Sequence, residues 1–318
     1  MPLGFPDLEE QLIKNESRIK CPVKKCTTFV ERQHYKFQRE DRFKCPIHKI
    51  FISPSTFEYE SLEDSLLWKD DLPFLNSIIS SEKRECRMTR ERSEDALTWN
   101  VFRYMQRSNS LSSFFKAINN EDQREPSLFY WSYDPDTKKS WHVLGKARRV
   151  FGEHPKRNTE PDLIIKTENA IVMVEAKLTS NNNTKPSNVD DYKHYLDGGS
   201  NWFSKVFKSD YKNIAVAHNK YELMRLWLLG TWMANLIDSN FHLVSLLREG
   251  EDDKISDEMG ALFVENSKAK YSKITWEDLY RQIKNDNVVN AEKDIILEYF
   301  KNKTIGYDND ILKKAFKI

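Results

Sequence analysis

The sequence predicts a mixed α/β protein, a mixed β-sheet flanked by helices, with a small separate module at its N-terminus. Three observations lead there. Apolar periodicity switches between helix-like and strand-like along the chain in the order helix, hairpin, hairpin, helix, helix, strand, helix. Three of the four cysteines crowd into the first 45 residues, two of them in Cys21-P-V-K-K-Cys26. The charge changes sign just after them: residues 14–49 hold eleven Lys/Arg against four acids, and residues 57–71 hold six acids against one lysine.

The elements follow in order. Residues 57–80 read as helix, as do residues 93–107. There Ser93 is placed as N-cap, Glu94 and Asp95 fall in the first turn, and Leu97, Val101 and Met105 repeat every four residues. Residues 127–133, the turn Asp134-P-D-T and Ser140-W-H-V-L read as an aromatic-rich hairpin. Asp162-L-I-I-K and Ala170-I-V-M-V-E-A-K-L, joined across Thr167-E-N, read as a second hairpin. Helices are expected near 189–207 and 219–238, a strand at Phe241-H-L-V-S-L-L, and a late helix capped by Thr275 with Asp278 three residues on. The chain divides on this reading into an N-terminal module, 1–56, and a main domain, 57–318. The main domain has a helical connection at 57–90 and a helical extension from about 255 to 318.

Several classes are excluded. There is no G-x-G-x-x-G, no G-x-x-x-x-G-K-[ST] and no H-E-x-x-H. No apolar run approaches the roughly 20 residues of a membrane span. The opening M-P-L-G-F-P-D-L-E-E does not read as a secretory signal, and four cysteines in 318 residues are no disulfide framework. A reducing cytoplasm is the expected location. The net charge of +1 confines any nucleic-acid surface to local patches.

Cys21, Cys26, Cys45 and His48 form two short pairs, with four and two intervening residues and eighteen between the pairs. That is a ligand set for tetrahedral Zn²⁺, with His34 as the rival fourth ligand. A structural zinc would also supply folding free energy to a stretch poor in apolar residues. Phe29, Tyr35, Phe37 and Phe43 lie in the same basic segment and read mainly as packing around the metal. Cys86 stands alone as a free thiol.

The second hairpin carries the chemistry. Side chains alternate along a strand, so Glu175 and Lys177 share one face while Val172, Val174 and Ala176 take the other. Antiparallel pairing brings Asp162 near Glu175. Two carboxylates so close repel each other unless a cation lies between them, and hard oxygen ligands suit Mg²⁺ or Mn²⁺. A lysine beside such an ion can orient a water and steady charge building on a phosphate. The run Ala170-I-V-M-V is apolar on both faces, which makes the strand central, where stray charge is costly. The basic run Lys146-A-R-R-V-F-G-E-H-P-K-Arg157 leads into Asp162 and offers a path for phosphates.

Glu160-P-Asp162 followed by Glu175-A-Lys177 resembles the signature of the PD-(D/E)XK nuclease superfamily, over roughly residues 90–250. The resemblance implies a restriction-endonuclease-like fold, with a zinc-ribbon-like module before it. It implies that Asp162 and Glu175 hold the metal, that Lys177 serves the attacking water and that the Ala176 carbonyl lends itself to the metal. Many relatives add a glutamate from a preceding helix. Glu94 fits that place, and Asp95 or Glu91 could take it. The Q-x-x-x-Y of one subgroup is missing, and Asp191-Y-K-H-Tyr195 stands there instead. The implied activity is Mg²⁺-dependent cleavage of DNA, most simply double-stranded, in a restriction or defence role, with a homodimer as the implied assembly. Two other readings stay open: a catalytically idle nucleic-acid-binding protein, and a transposition or repair nuclease subunit that needs partners.

Overall fold

The computed structural model describes residues 7–31, 33, 35, 38–53, 57–81, 87–120, 126–155, 158–190, 192–287 and 290–318. His34, Phe37, Cys86, Lys156, Arg157 and Asp191, named above, lie outside the described residues. The chain forms two compact units. One holds residues 1–76, 85–110 and 280–318, and the other holds residues 77–84 and 111–279. No helix among the described residues is long and apolar enough to cross a membrane.

The first unit opens with short strands. β1 (Lys14–Asn15), β2 (Arg18–Lys20) and β3 (Phe29–Glu31) make an antiparallel sheet, and β4 (Ile50–Ile52) pairs with β5 (Phe57–Tyr59). The helix expected over 57–80 is therefore a strand at its start, then two single 3-10 turns, then α1 (Leu72–Ser81). Phe57 and Tyr59 bury their rings by pairing with Ile52 and Ile50, a gain that the local acid-rich sequence does not reveal. α2 (Glu94–Arg107) starts where expected. The Ser93 hydroxyl accepts the Ala96 N–H at 3.1 Å, and Leu97, Val101 and Met105 are wholly buried.

Beyond residues 77–84, the second unit runs from α3 (Leu111–Ala117) and holds the main sheet. Its strands are β6 (Ser127–Tyr130), then, after the two-residue strands β7 (Tyr133–Asp134) and β8 (Lys139–Ser140), β9 (Leu163–Lys166) and β10 (Ala170–Ala176). The first hairpin is thus reduced to β7 and β8. His142-V-L continues not as strand but as α4 (His142–Val150), because Val143, Leu144 and Ala147 share a helical face against the core. Much of the basic run from Lys146 is helical as well. Its Arg148 is spent inside the fold on the Thr159 carbonyl at 2.9 Å and on the Ser140 and Ser132 hydroxyls.

The span expected as one helix over 189–207 is two, α5 (Lys193–Asn201) and α6 (Phe203–Val206), with α5 distorted at Gly198, Gly199 and Ser200. α7 (Tyr221–Leu236) is the long apolar helix. β11 (Asn240–Leu247), α8 (Ile255–Leu262), β12 (Ala269–Thr275) and α9 (Trp276–Asn285) follow. α9 begins on the expected cap: Thr275 Oγ1 accepts the Asp278 N–H at 3.0 Å, and Asp278 Oδ2 accepts the Thr275 N–H at 2.9 Å. The chain closes in the first unit with α10 (Ala291–Asn302) and the hairpin of β13 (Thr304–Asp308) and β14 (Ile311–Lys314). The stretch after 255 is accordingly not purely helical.

The sheet order is β12-β11-β10-β9-β6, antiparallel on the β9 side and parallel on the β11 and β12 side. β10 lies in the middle and all seven of its residues are buried. Ile171, Met173, Phe241 and Leu243 meet α4 and α7 on one face. A Cβ at Gly230 of α7 would fall 2.1 Å from the Phe241 ring, so glycine is what lets the helix lie this close to β11. Mid-helix glycine costs about 1 kcal/mol against alanine, and the packing offsets it.

Candidate active site

The β9–β10 hairpin sets the site. Thr167 N–H bonds the Ala170 carbonyl at 2.9 Å and closes the turn, and pairing runs out to Val174 opposite Leu163. Asp162, one step before β9, is thereby level with Glu175. Its Oδ2 accepts the Ala176 N–H at 2.8 Å, and its carbonyl accepts the Trp131 N–H at 3.2 Å. On the other side β10 is locked to β11. Lys177 N–H reaches the Leu246 carbonyl at 2.8 Å, and the Lys177 carbonyl accepts the buried Trp276 indole N–H at 3.0 Å.

This backbone brings together the three residues of the hairpin and adds a fourth. Lys177 Nζ forms an ion pair with Glu175 and a second with Glu222 at 3.0 Å. Glu222 is the second residue of α7, and its own N–H is anchored on the Thr184 hydroxyl at 2.9 Å. Glu175 is 3% exposed. Burial and then the Glu222 carboxylate push its carboxyl well above the usual range. Lys177 works the other way, and Asp162 adds to the rise. Burial disfavours the Lys177 ammonium, yet Glu175, Glu222 and Asp162 together outweigh it and hold the lysine charged. Three carboxylates crowd round one ammonium. The cluster therefore favours uptake of positive charge, and its donors are the hard oxygens that suit a divalent cation.

A neighbouring polar group is already closed. Glu153 Oε1 accepts from Arg225 Nε at 3.0 Å, Arg225 Nη2 at 2.8 Å and the Tyr195 hydroxyl at 3.3 Å, while Oε2 accepts the Thr159 N–H at 2.7 Å. Burial opposes the Arg225 charge, but Glu153 raises its pKa further still.

Glu94 is the first residue of α2, half-buried and in the first unit, whereas the hairpin trio belongs to the second. Asp95 follows it in the same first turn. Glu91 is committed elsewhere. It accepts from the Tyr59 hydroxyl and the Thr304 N–H, both at 3.1 Å, and has Lys303 Nζ at 3.9 Å.

In the first unit Cys21, Cys26, Cys45 and His48 converge, with their ligand atoms all within 4.8 Å of one another. Sγ of Cys26 is 3.8 Å from Sγ of Cys45, and His48 Nδ1 is 3.5 Å from Sγ of Cys21 and 3.6 Å from Sγ of Cys45. Metal–ligand bonds of about 2.3 Å to sulfur and about 2.0 Å to nitrogen, set tetrahedrally, give edges of about 3.8 and 3.5 Å. The set can hold a metal. Burial, partly countered by the Val23 N–H, and the crowding of Cys45 and Cys26 push the Cys21 thiol up. A cation would relieve that crowding.

Sequence reasoning missed Glu222. It opens a helix whose aromatic and aliphatic residues read as core, and only the folded chain brings it to a lysine 45 positions earlier.

The model of the family described as "Restriction Endonuclease associating with ARP" matches residues 83–303. That span contains Glu94, Asp162, Glu175, Lys177 and Glu222 and excludes the cysteine–histidine cluster. No curated protein and no solved structure matches the chain.

Proposed function

The chain belongs to the family of restriction endonucleases associating with ARP, and from that premise we propose that it is a divalent-metal-dependent DNA endonuclease of the PD-(D/E)XK kind. The observation that carries this reading is the buried Glu175, which shares its lysine with Glu222 and lies under the field of Asp162. Asp162 and Glu175 would hold Mg²⁺ or Mn²⁺ through their carboxylate oxygens. Such a cation supplies charge neutralisation at the phosphodiester and an acidified water. Lys177 donates hydrogen bonds to the attacking water and to the phosphate oxygens. Glu222 would keep the ammonium in place beside a Glu175 that holds the metal. Double-stranded DNA, a restriction or defence role and a homodimer complete the proposal. The cluster of Cys21, Cys26, Cys45 and His48 would carry a structural Zn²⁺ in a ribbon-like module.

The test is digestion of modified and unmodified plasmid by wild type and Lys177→Ala, with and without Mg²⁺. Wild type should cut only with the metal, and the variant should lose at least about a hundredfold in rate. Equal cutting by both proteins removes the site assignment.

One observation favours a second reading. The family's description names an association with ARP. On this reading the chain is a nuclease subunit, idle alone and active with that partner. Cutting by the purified chain alone separates the two.

A further inference from the structure

A crowd of carboxylates is a poor place to receive a polyanion, and a cleft of the opposite character adjoins that cluster. It has a volume of about 730 Å³. Its walls include His154, His194, Lys185, Tyr195, Tyr221 and Arg225. Tyr221 and Arg225 stand one residue before and three after Glu222 on α7, so cleft and cluster share the start of one helix. Lys185 is held beside them. The preceding residue, Thr184, gives its hydroxyl to the Glu222 N–H at 2.9 Å and its carbonyl to the Tyr221 N–H at 3.2 Å. Gly152, at φ +61°, turns the chain so tightly that a Cβ there would lie 3.0 Å from the His194 Cβ. That close turn is what brings His154 and His194 to the same wall.

The charges in the cleft are unequal. Glu153 is its one acid among the described residues, and both carboxylate oxygens are taken by Arg225, Tyr195 and Thr159. Among the described residues two cations against that one acid leave the lining net positive, with Lys185 exposed and carrying the difference. The hydroxyls of Tyr195 and Tyr221 lie 3.3 Å apart and the two rings pack edge to face. This wall therefore offers N–H and O–H groups more than an open ring face for a base. We propose that the cleft seats a DNA backbone phosphate flanking the scissile one, with Lys185 as its charged contact. This rests on the nuclease reading, because it takes the carboxylate cluster as the place of cleavage.

Each phosphate neutralised by a lysine adds about 0.9 to the slope of log K against log salt concentration. The full-length chain is mixed with a fluorescein-labelled duplex without added divalent cation, and anisotropy is followed from about 50 to about 200 mM NaCl. Lys185→Ala should flatten the slope by about 0.9 on duplexes of unrelated sequence, and Lys185→Glu should weaken binding further. Lys116→Ala, an exposed lysine on α3, serves as control and should leave the slope alone. Melting temperatures of the variants should match wild type. An unchanged slope in Lys185→Ala, or an equal loss in Lys116→Ala, overturns the assignment. An effect seen only in competition by inorganic phosphate or a mononucleotide marks a small-anion site and also overturns it. Plasmid cleavage separates the two readings. Metal-dependent cutting by wild type with no change of slope in Lys185→Ala sinks the cleft alone. A lost slope with no cutting by wild type keeps the cleft as a DNA-backbone site and removes cleavage by the chain alone.

Discussion

Acid should loosen the sheet of the second unit through His242. This residue lies on β11, opposite Val172 on one side and Lys270 on the other, and is 5% exposed. Its Nε2 is 2.8 Å from the Ser272 hydroxyl. Burial, with the Lys270 charge added, lowers its pKa from 6.5 to about 4. A folded pKa below the unfolded one means that the unfolded chain binds the proton first. The stabilisation is therefore complete above pH 6.5 and is lost as pH falls toward 4. At about 1.4 kcal/mol per pH unit the whole interval is worth about 3 kcal/mol. His242→Gln keeps an amide to bond Ser272 and does not titrate. Urea unfolding of both proteins, followed by tryptophan fluorescence, gives the comparison at about pH 6.5 and about pH 5. Wild type should lose about 2 kcal/mol more than the variant over that range. Parallel losses would show that His242 is not held neutral by the fold.

Gly230→Ala should destabilise by about 1–3 kcal/mol or more, because the new methyl meets the Phe241 ring. Calorimetry reads the loss, and a simultaneous Phe241→Leu should recover part of it. Glu91→Gln should cost about 3–5 kcal/mol by stranding the buried Lys303, measured as a drop in the denaturation midpoint. Cys45→Ser should remove bound zinc, seen by elemental analysis, and open residues around 20–50 to trypsin. A wild-type protein purified without zinc and equally resistant to trypsin would rule the metal out.

The parts of this chain that its sequence reveals are those settled by near neighbours. Ser93 and the Thr275–Asp278 pair announce their helices because caps act within four residues. The hairpin that carries Asp162, Glu175 and Lys177 is legible because Thr167-E-N is a turn and the flanking runs are apolar on both faces. The three cysteines and His48 are legible from spacing alone. Pairing between distant segments is not. Phe57-E-Tyr59 sits among acids that suit a helix, and what makes it a strand is the Ile50–Ile52 edge. His142-V-L has strand-forming residues, but the core behind it takes a helical face. Glu222 and the Glu153–Arg225 pair are invisible for the same reason. Each is defined by partners 45 and 72 positions away.

Three other acids with buried side chains show how the hairpin cluster differs from paired internal charge. Asp71 is matched by Arg103. Glu153 is matched by Arg225, and Glu91 has Lys303 with a hydroxyl and a backbone N–H besides. Such pairs are closed, since each carboxylate faces a cation of its own, and removing one partner would only harm the fold. Glu175 shares its cation with Glu222, and Asp162 adds a third carboxylate, whose Oδ2 accepts the Ala176 N–H at 2.8 Å. Burial makes that excess expensive, and a fold selected for stability alone would gain by dropping one acid. The excess has a use if the missing positive charge arrives from outside. The same reasoning places the substrate's own charge elsewhere: a phosphate strand reaches crowded carboxylates more readily when a cation such as Lys185 holds it in the adjoining cleft.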